Sequence, residues 1–217
     1  GDGSRVAVGG HNNGGGGTDA GHVRVFDYNS SSSSWVQMGG DIDGEAAGDE
    51  SGGAVSLSVN GSHVAVGAPR NGGGGSDAGH VRVFEYNSFS SSWVQLGADI
   101  DGEAAGDLSG RAVSISNDGS RVAVGSPDND NGGSSAGHVR VFEYYFSGVA
   151  SWVQLGVDII GTDLRGESGF AVSLSGDGSH VAAGAYGVAN DKGKVRVWEM
   201  IQSQNEPSRQ PSSQPSD

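Results

Sequence analysis

Carboxylates and imidazoles that recur at a fixed spacing are the residues of this 217-residue chain that could do chemistry. Asp41, Asp43, Glu45 and Asp49 return as Asp99, Asp101, Glu103 and Asp107, and a looser third copy holds Asp158, Asp163 and Glu167. Grouped carboxylates can hold calcium or attract a basic partner. The plainer reading is a solvated acidic turn, because duplication alone explains the recurrence. The spacing in DIDGEAAGD is not that of an EF-hand loop. The run Asp128-Asn129-Asp130-Asn131-Gly132 is the most calcium-like, yet its equivalents at Asn71 and Asn13 lack the carboxylate pair, and an Asx-turn loop is the better explanation. The candidate metal ligands are therefore Asp99, Asp101, Glu103, Asp107, Asp128 and Asp130, with calcium as the candidate ion. Asp41, Asp43, Glu45, Asp49, Asp158, Asp163 and Glu167 complete a candidate binding face.

Two further residue types recur. His22, His80 and His138 each precede a V-R-V run, and Lys194 takes that place in the last copy. One imidazole per repeat, spread around a ring, does not make a compact zinc site, so a strand-edge hydrogen bond is expected. Arg24, Arg82, Arg140 and Arg196 alternate with valines and are expected to pair with carboxylates or stack on aromatics between sheets. No Ser-His-Asp arrangement or isolated apolar-embedded acid stands out, and the chain reads as a non-enzyme.

The elements that position these residues follow from the repeat. The G-S-x-V-A pattern starts at Gly3, Gly61, Gly119 and Gly178, giving steps of 58, 58 and 59 residues. Each unit holds four short runs rich in Val, Trp, Phe and Tyr, which favours strands. Asn60-Gly61, Asp118-Gly119 and Asp177-Gly178 read as type I′ hairpin turns. A four-stranded antiparallel sheet of this kind has two apolar faces, and stacking sheets around an axis covers both. In HVAVGA, Val64 and Val66 face one neighbour while Ala65 and Gly67 face the other; in HVRVFEY, Val81 and Val83 oppose Arg82 and Phe84.

The fold class expected is all-β: a β-propeller of four-stranded blades. The repeats occupy residues 1–200, partial at 1–52, full at 53–110 and 111–169, and partial at 170–200. About 3.5 blades form an incomplete arc. Residue 1 falls inside a repeat, so a fragment of a longer chain is expected. Missing blades or a second chain would then cover the open ends. Alternating strand direction puts the 2–3 loops and the 4–1 crossovers on one face, which carries the acidic residues.

The blade sequence resembles the FG-GAP repeat of the integrin α-subunit propeller. The matching pieces are SGFAVSLS at 168–175, Val-Ala-Val-Gly-Ala-Pro at 64–69 and the recurrent Gly-x-Val-Arg-Val-aromatic run. The W-V-Q-[ML]-G link at Trp35, Trp93 and Trp152 resembles the second FG-GAP subtype. The resemblance covers residues 1–199 and implies a propeller with adhesion-type binding. The family's calcium loop between the first two strands is replaced here by short turns such as Val59-Asn60-Gly61-Ser62, so its calcium sites do not carry over.

Composition narrows the partners. With 26 Asp and Glu against 12 Lys and Arg, the net charge is −14, which argues against nucleic acid and anionic membrane. No apolar run is long enough to insert in a membrane. There is no cysteine, so disulfide and thiol chemistry are excluded. Residues 201–217 have a Pro-Ser rhythm and are expected to form a disordered, extended linker. The function expected is a non-catalytic extracellular or cell-surface binding module for a protein or glycan. A passive structural repeat is the alternative, and a propeller-type hydrolase a second one.

Overall fold

The computed structural model describes residues 1–146, 150–187 and 193–200. The expected 201–217 linker lies outside them. The fold is all-β. Among the described residues, 17 strands form four antiparallel sheets, each built from consecutive strands of one repeat.

The first sheet contains β1 (Arg5–Gly9), β2 (His22–Asn29), β3 (Ser34–Gln37) and β4 (Ile42–Asp43). The second contains β5 (Ala54–Leu57), β6 (His63–Ala68), β7 (His80–Asn87), β8 (Ser92–Gln95) and β9 (Ile100–Asp101). The third repeats this with β10 (Ala112–Ile115), β11 (Arg121–Ser126), β12 (His138–Phe146), β13 (Ala150–Gln154) and β14 (Ile159–Ile160). The last has β15 (Ala171–Leu174), β16 (His180–Ala185) and β17 (Lys194–Glu199).

Strand order within a sheet is sequential, as in β5-β6-β7-β8. The outer strand differs from expectation. It comes in two pieces: β8 pairs with the end of β7, and β9 pairs with its start, His80 opposite Asp101. The crossover therefore begins as strand, and this fixes the acidic DID segment against the histidine strand.

The hairpin turns also differ from expectation. Positive φ occurs at Gly61, Gly119 and Gly178 but not at the Asn or Asp before them. The turn is type I with a glycine bulge rather than type I′. The side chain makes the difference: Asn60 Oδ1 accepts the Ser62 N–H at 3.0 Å, and Asp118 Oδ1 accepts the Ser120 N–H at 3.0 Å.

The core sits between sheets. One apolar cluster joins Val23, Val25 and Ile42 of the first sheet to Val64, Val66 and Phe84 of the second. Another joins Ala65, Val81 and Val83 to Val122, Val124 and Phe142. A third joins Val139, Val141 and Ile159 to Leu174, Val181 and Trp198. Alternation places the two faces of one strand in different clusters, as the pattern of HVAVGA requires. The inner strands are stitched laterally: the Ile115 N–H donates to Ser56 Oγ at 3.1 Å and the Leu174 N–H to Ser114 Oγ at 2.9 Å.

Glycine is needed where blades meet most closely. A Cβ on Gly67 would overlap the Gly110 carbonyl oxygen, and one on Gly125 would overlap that of Gly169.

Candidate functional site

The 2–3 loops and the crossovers do share one face. The Gly44 N–H donates to the Gly21 carbonyl at 2.9 Å, and the Glu50 N–H to that of Asp19 at 3.0 Å. Pairing of β9 with β7 then brings the first crossover aspartate beside the histidine that starts β7. The glutamate comes from the preceding crossover. Two equivalent sets result: Glu45, His80 and Asp99 around one imidazole, and Glu103, His138 and Asp158 around the other.

The distances repeat. His80 Nδ1 lies 3.9 Å from Glu45 Oε2 and 3.8 Å from Asp99 Oδ2. His138 Nδ1 lies 3.8 Å from Glu103 Oε2 and 3.9 Å from Asp158 Oδ2. These exceed hydrogen-bond range. The imidazoles are closed off from solvent, His80 at 1% and His138 at 0% exposed, whereas Glu45 and Glu103 stand at 44% and 37% side-chain exposure. Burial pushes the His138 pKa down to about 4, aided by the nearby Arg140 charge and opposed by Asp158 and Asp107. Burial likewise lowers that of His80. Both imidazoles are therefore neutral at pH 7.

The expected strand-edge hydrogen bond is not made. Neither nitrogen of His138, nor Nε2 of His80, has a hydrogen-bond partner among the described residues. Side chains and sequence neighbours gave no signal of this. It appears only when β9 and the preceding crossover converge on one strand start.

The arginines behave as expected. Arg82 donates to the Asp43 carbonyl at 2.6 Å, lies 3.5 Å from Glu45 Oε1 and sits 5.3 Å from the centre of the Phe84 ring. Arg140 does the same with Asp101, Glu103 and Phe142. Arg24 instead takes both oxygens of Asp41, at 2.9 and 2.8 Å. That hydrogen bond and the one from Gln37 hold the Asp41 pKa down at about 2.

The other sequence candidates separate into structural tasks. Asp99, Asp101, Glu103 and Asp107 do not form one set. Asp99 and Glu103 belong to different imidazoles, and Asp101 uses its carbonyl to hold Arg140. Asp107 is buried, accepts the Ala104 N–H at 3.1 Å and takes Asn129 Nδ2 at 3.0 Å. Asp49 does the same with Ala46 and Asn71. Asp130 accepts the Ser135 N–H at 2.8 Å, which is the turn reading. Burial, followed by Glu167 and Asp130, raises the pKa of Asp128. In the third crossover Asp163 faces Lys194 Nζ at 3.5 Å. Asp43 joins His22 and Asp41 in a more exposed set.

No family model matches the chain, and no curated protein matches it in sequence. Solved structures do match. A hydrazine synthase from Kuenenia stuttgartiensis is 18% identical, with a TM-score of 0.53, over 92% of this chain and 50% of that one. A protein described as a 6-phosphogluconolactonase from Bacteroides uniformis is 12% identical, with a TM-score of 0.56, over 98% and 55%. A periplasmic gluconolactonase from Pseudomonas aeruginosa is 17% identical, with a TM-score of 0.53, over 90% and 49%. The fold is a β-propeller arc. The chain spans about half the length of these neighbours.

These findings correct the expectation of a non-catalytic adhesion module and the reading of the chain as a non-enzyme. All three neighbours are named as enzymes. At this identity the likeness carries the fold, so the chemistry has to come from this chain's own residues.

Proposed function

We propose that the chain supplies part of a hydrolytic propeller acting on esters or lactones. The observation that carries this reading is the pair of carboxylate–imidazole sets on the loop face. In each, an accessible glutamate stands over a buried neutral histidine. The lactonase names among the propeller neighbours support the substrate class.

Glu45 and Glu103 are the residues placed to act as general bases. A carboxylate next to a water takes its proton as the oxygen adds to the carbonyl carbon. The ring C–O bond then breaks, and the leaving alkoxide takes that proton back from the glutamic acid, giving the open hydroxy acid and regenerating the carboxylate. Arg82 and Arg140 hold the glutamates on one oxygen and leave the other directed at the site. The test is hydrolysis of gluconolactone by the chain and by the Glu45→Gln/Glu103→Gln variant.

A passive structural repeat is the second reading. One observation favours it: the same residues bridge neighbouring sheets, through Arg82 to Asp43 and Arg140 to Asp101. The resemblance of the blade to FG-GAP repeats fits either reading, since it concerns the repeat unit rather than the residues on its loop face.

A further inference from the structure

The two imidazole sets have a geometry that hydrolysis alone does not require. Each carboxylate has one oxygen committed to the protein and the other turned toward the histidine. Asp99 Oδ1 accepts Gln95 Nε2 at 2.7 Å while Oδ2 faces His80. Asp158 Oδ1 accepts Gln154 Nε2 at 2.8 Å while Oδ2 faces His138. Glu45 and Glu103 offer Oε1 to arginine and Oε2 to the imidazole. Asn131 Nδ2 touches Glu103 Oε2 at 3.3 Å and competes with an ion there.

Three ligand-type atoms thus converge within 4.8 Å of one another, too far apart to bond to each other. A fully buried, unpartnered His138 Nδ1 is aimed into one of these gaps. Leaving such a nitrogen without a partner is costly. A tetrahedral ion with ligands at about 2.0–2.2 Å spaces them about 3.4 Å apart, so the imidazole–carboxylate distances of 3.8–3.9 Å need to close by about half an ångström for three of the four positions to be filled.

We propose that Glu45–His80–Asp99 and Glu103–His138–Asp158 are two equivalent sites for a divalent transition-metal ion of the zinc type. Each supplies one imidazole nitrogen and two carboxylate oxygens and leaves a coordination position open. An imidazole ligand selects this class over calcium, which takes oxygen ligands.

The other two clefts are arranged differently. At the first sheet, Arg24 occupies both oxygens of Asp41, beside His22. At the last, Lys194 replaces the histidine and its ammonium faces Asp163. The first sheet does hold a group of the same kind, His22, Asp41 and Asp43, but Arg24 there takes both Asp41 oxygens at once, whereas Arg82 and Arg140 each reach only Oε1 of their glutamate.

A bound ion would take up the glutamate Oε2 that the hydrolytic reading gives to the base, so ion binding does not rest on that reading and the test counts ions rather than turnover. The metal-free chain is equilibrated with zinc chloride, and bound zinc is measured by elemental analysis. About two ions per chain are expected. Glu103→Gln/Asp158→Asn should retain about one, and adding Glu45→Gln/Asp99→Asn should remove both. Calcium should leave the count unchanged. Zinc content of about one per chain or less, or the same content in the variants, overturns the proposal. Cobalt(II) in the unsubstituted chain gives a second readout that needs no variant to fold. Intense visible bands of a four- or five-coordinate ion, saturating near two equivalents, are expected. Only the weak spectrum of the six-coordinate aqua ion would overturn it.

Discussion

Trp152 Nε1 donates to the carbonyl oxygen of Leu96 at 2.7 Å, tying the outer strand of the third sheet to the segment that follows β8 in the second. Trp93 makes the equivalent bond to Met38 at 2.8 Å. Both indoles also meet a tyrosine of their own sheet, with ring centres 5.2 Å apart. Trp35 keeps the tyrosine contact but is 47% exposed. Replacing Trp152 or Trp93 with Phe should therefore cost about 1 kcal/mol through the lost bond and the unpaired carbonyl. Trp35→Phe should cost less than half of that. Urea midpoints of the three variants check the ranking.

A methyl group at Gly67 or Gly125 would strike backbone of the following crossover, whereas one at Gly184 would meet Ala171 Cβ at an ordinary 3.5 Å. Gly67→Ala and Gly125→Ala should each destabilise by at least about 1–3 kcal/mol, as overpacked sites do. Gly184→Ala should be tolerated. Equal thermal midpoints for Gly67→Ala and Gly184→Ala would contradict the close approach of neighbouring blades.

Arg140 is buried between sheets, with its charge on the Asp101 carbonyl and beside Glu103. Arg196 is exposed by comparison, and its bond to the Ile160 carbonyl is 3.2 Å. Arg140→Met should cost about 2–3 kcal/mol, the range for a charged hydrogen bond with its acceptor left buried. Arg196→Met should cost less. Denaturant unfolding of the pair measures the difference.

The architecture was legible because two signals agree: the 58-residue step and the alternation of large and small residues in runs such as HVAVGA. Those fix which face of β6 meets which neighbour, and the clusters around Val64 and Ala65 follow. The arginine links were legible too, since a charge alternating with core valines must find a partner between sheets. The imidazole sets were not. Glu45 and Asp99 are 54 positions apart, and they meet only because the DID segment pairs as strand with the start of β7. The type I′ reading failed for a local reason: the Asn or Asp side chain caps the following N–H groups and keeps its own φ negative.

The same turns carry a pH dependence. The Ser175 hydroxyl, then the Ser179 N–H and hydroxyl, hold the Asp177 pKa below the usual carboxylate value. Burial works the other way at Asp118, yet bonds from Ser116 and Ser120 leave its pKa lowered as well. A depressed folded-state pKa contributes stability above the unfolded value, and that contribution is lost as pH falls through the folded one. Asn60 fills the same turn without a charge, accepting Ser62 in the same way. Asp118→Asn/Asp177→Asn should therefore keep the fold at pH 7 and flatten the loss of stability below about pH 4. Thermal midpoints between pH 2 and 7 read this directly; an unchanged acid slope would contradict it.

The most direct measurement is the initial rate of gluconolactone hydrolysis by the chain, set against the spontaneous rate and against Glu45→Gln/Glu103→Gln. A rate well above background that drops at least about tenfold in the variant, with the fold intact, is the result predicted, since a positioned general base contributes on the order of 10²–10⁴. A rate equal to spontaneous hydrolysis, or one that the double substitution leaves unchanged, would contradict the hydrolytic reading and leave the sets as links between blades.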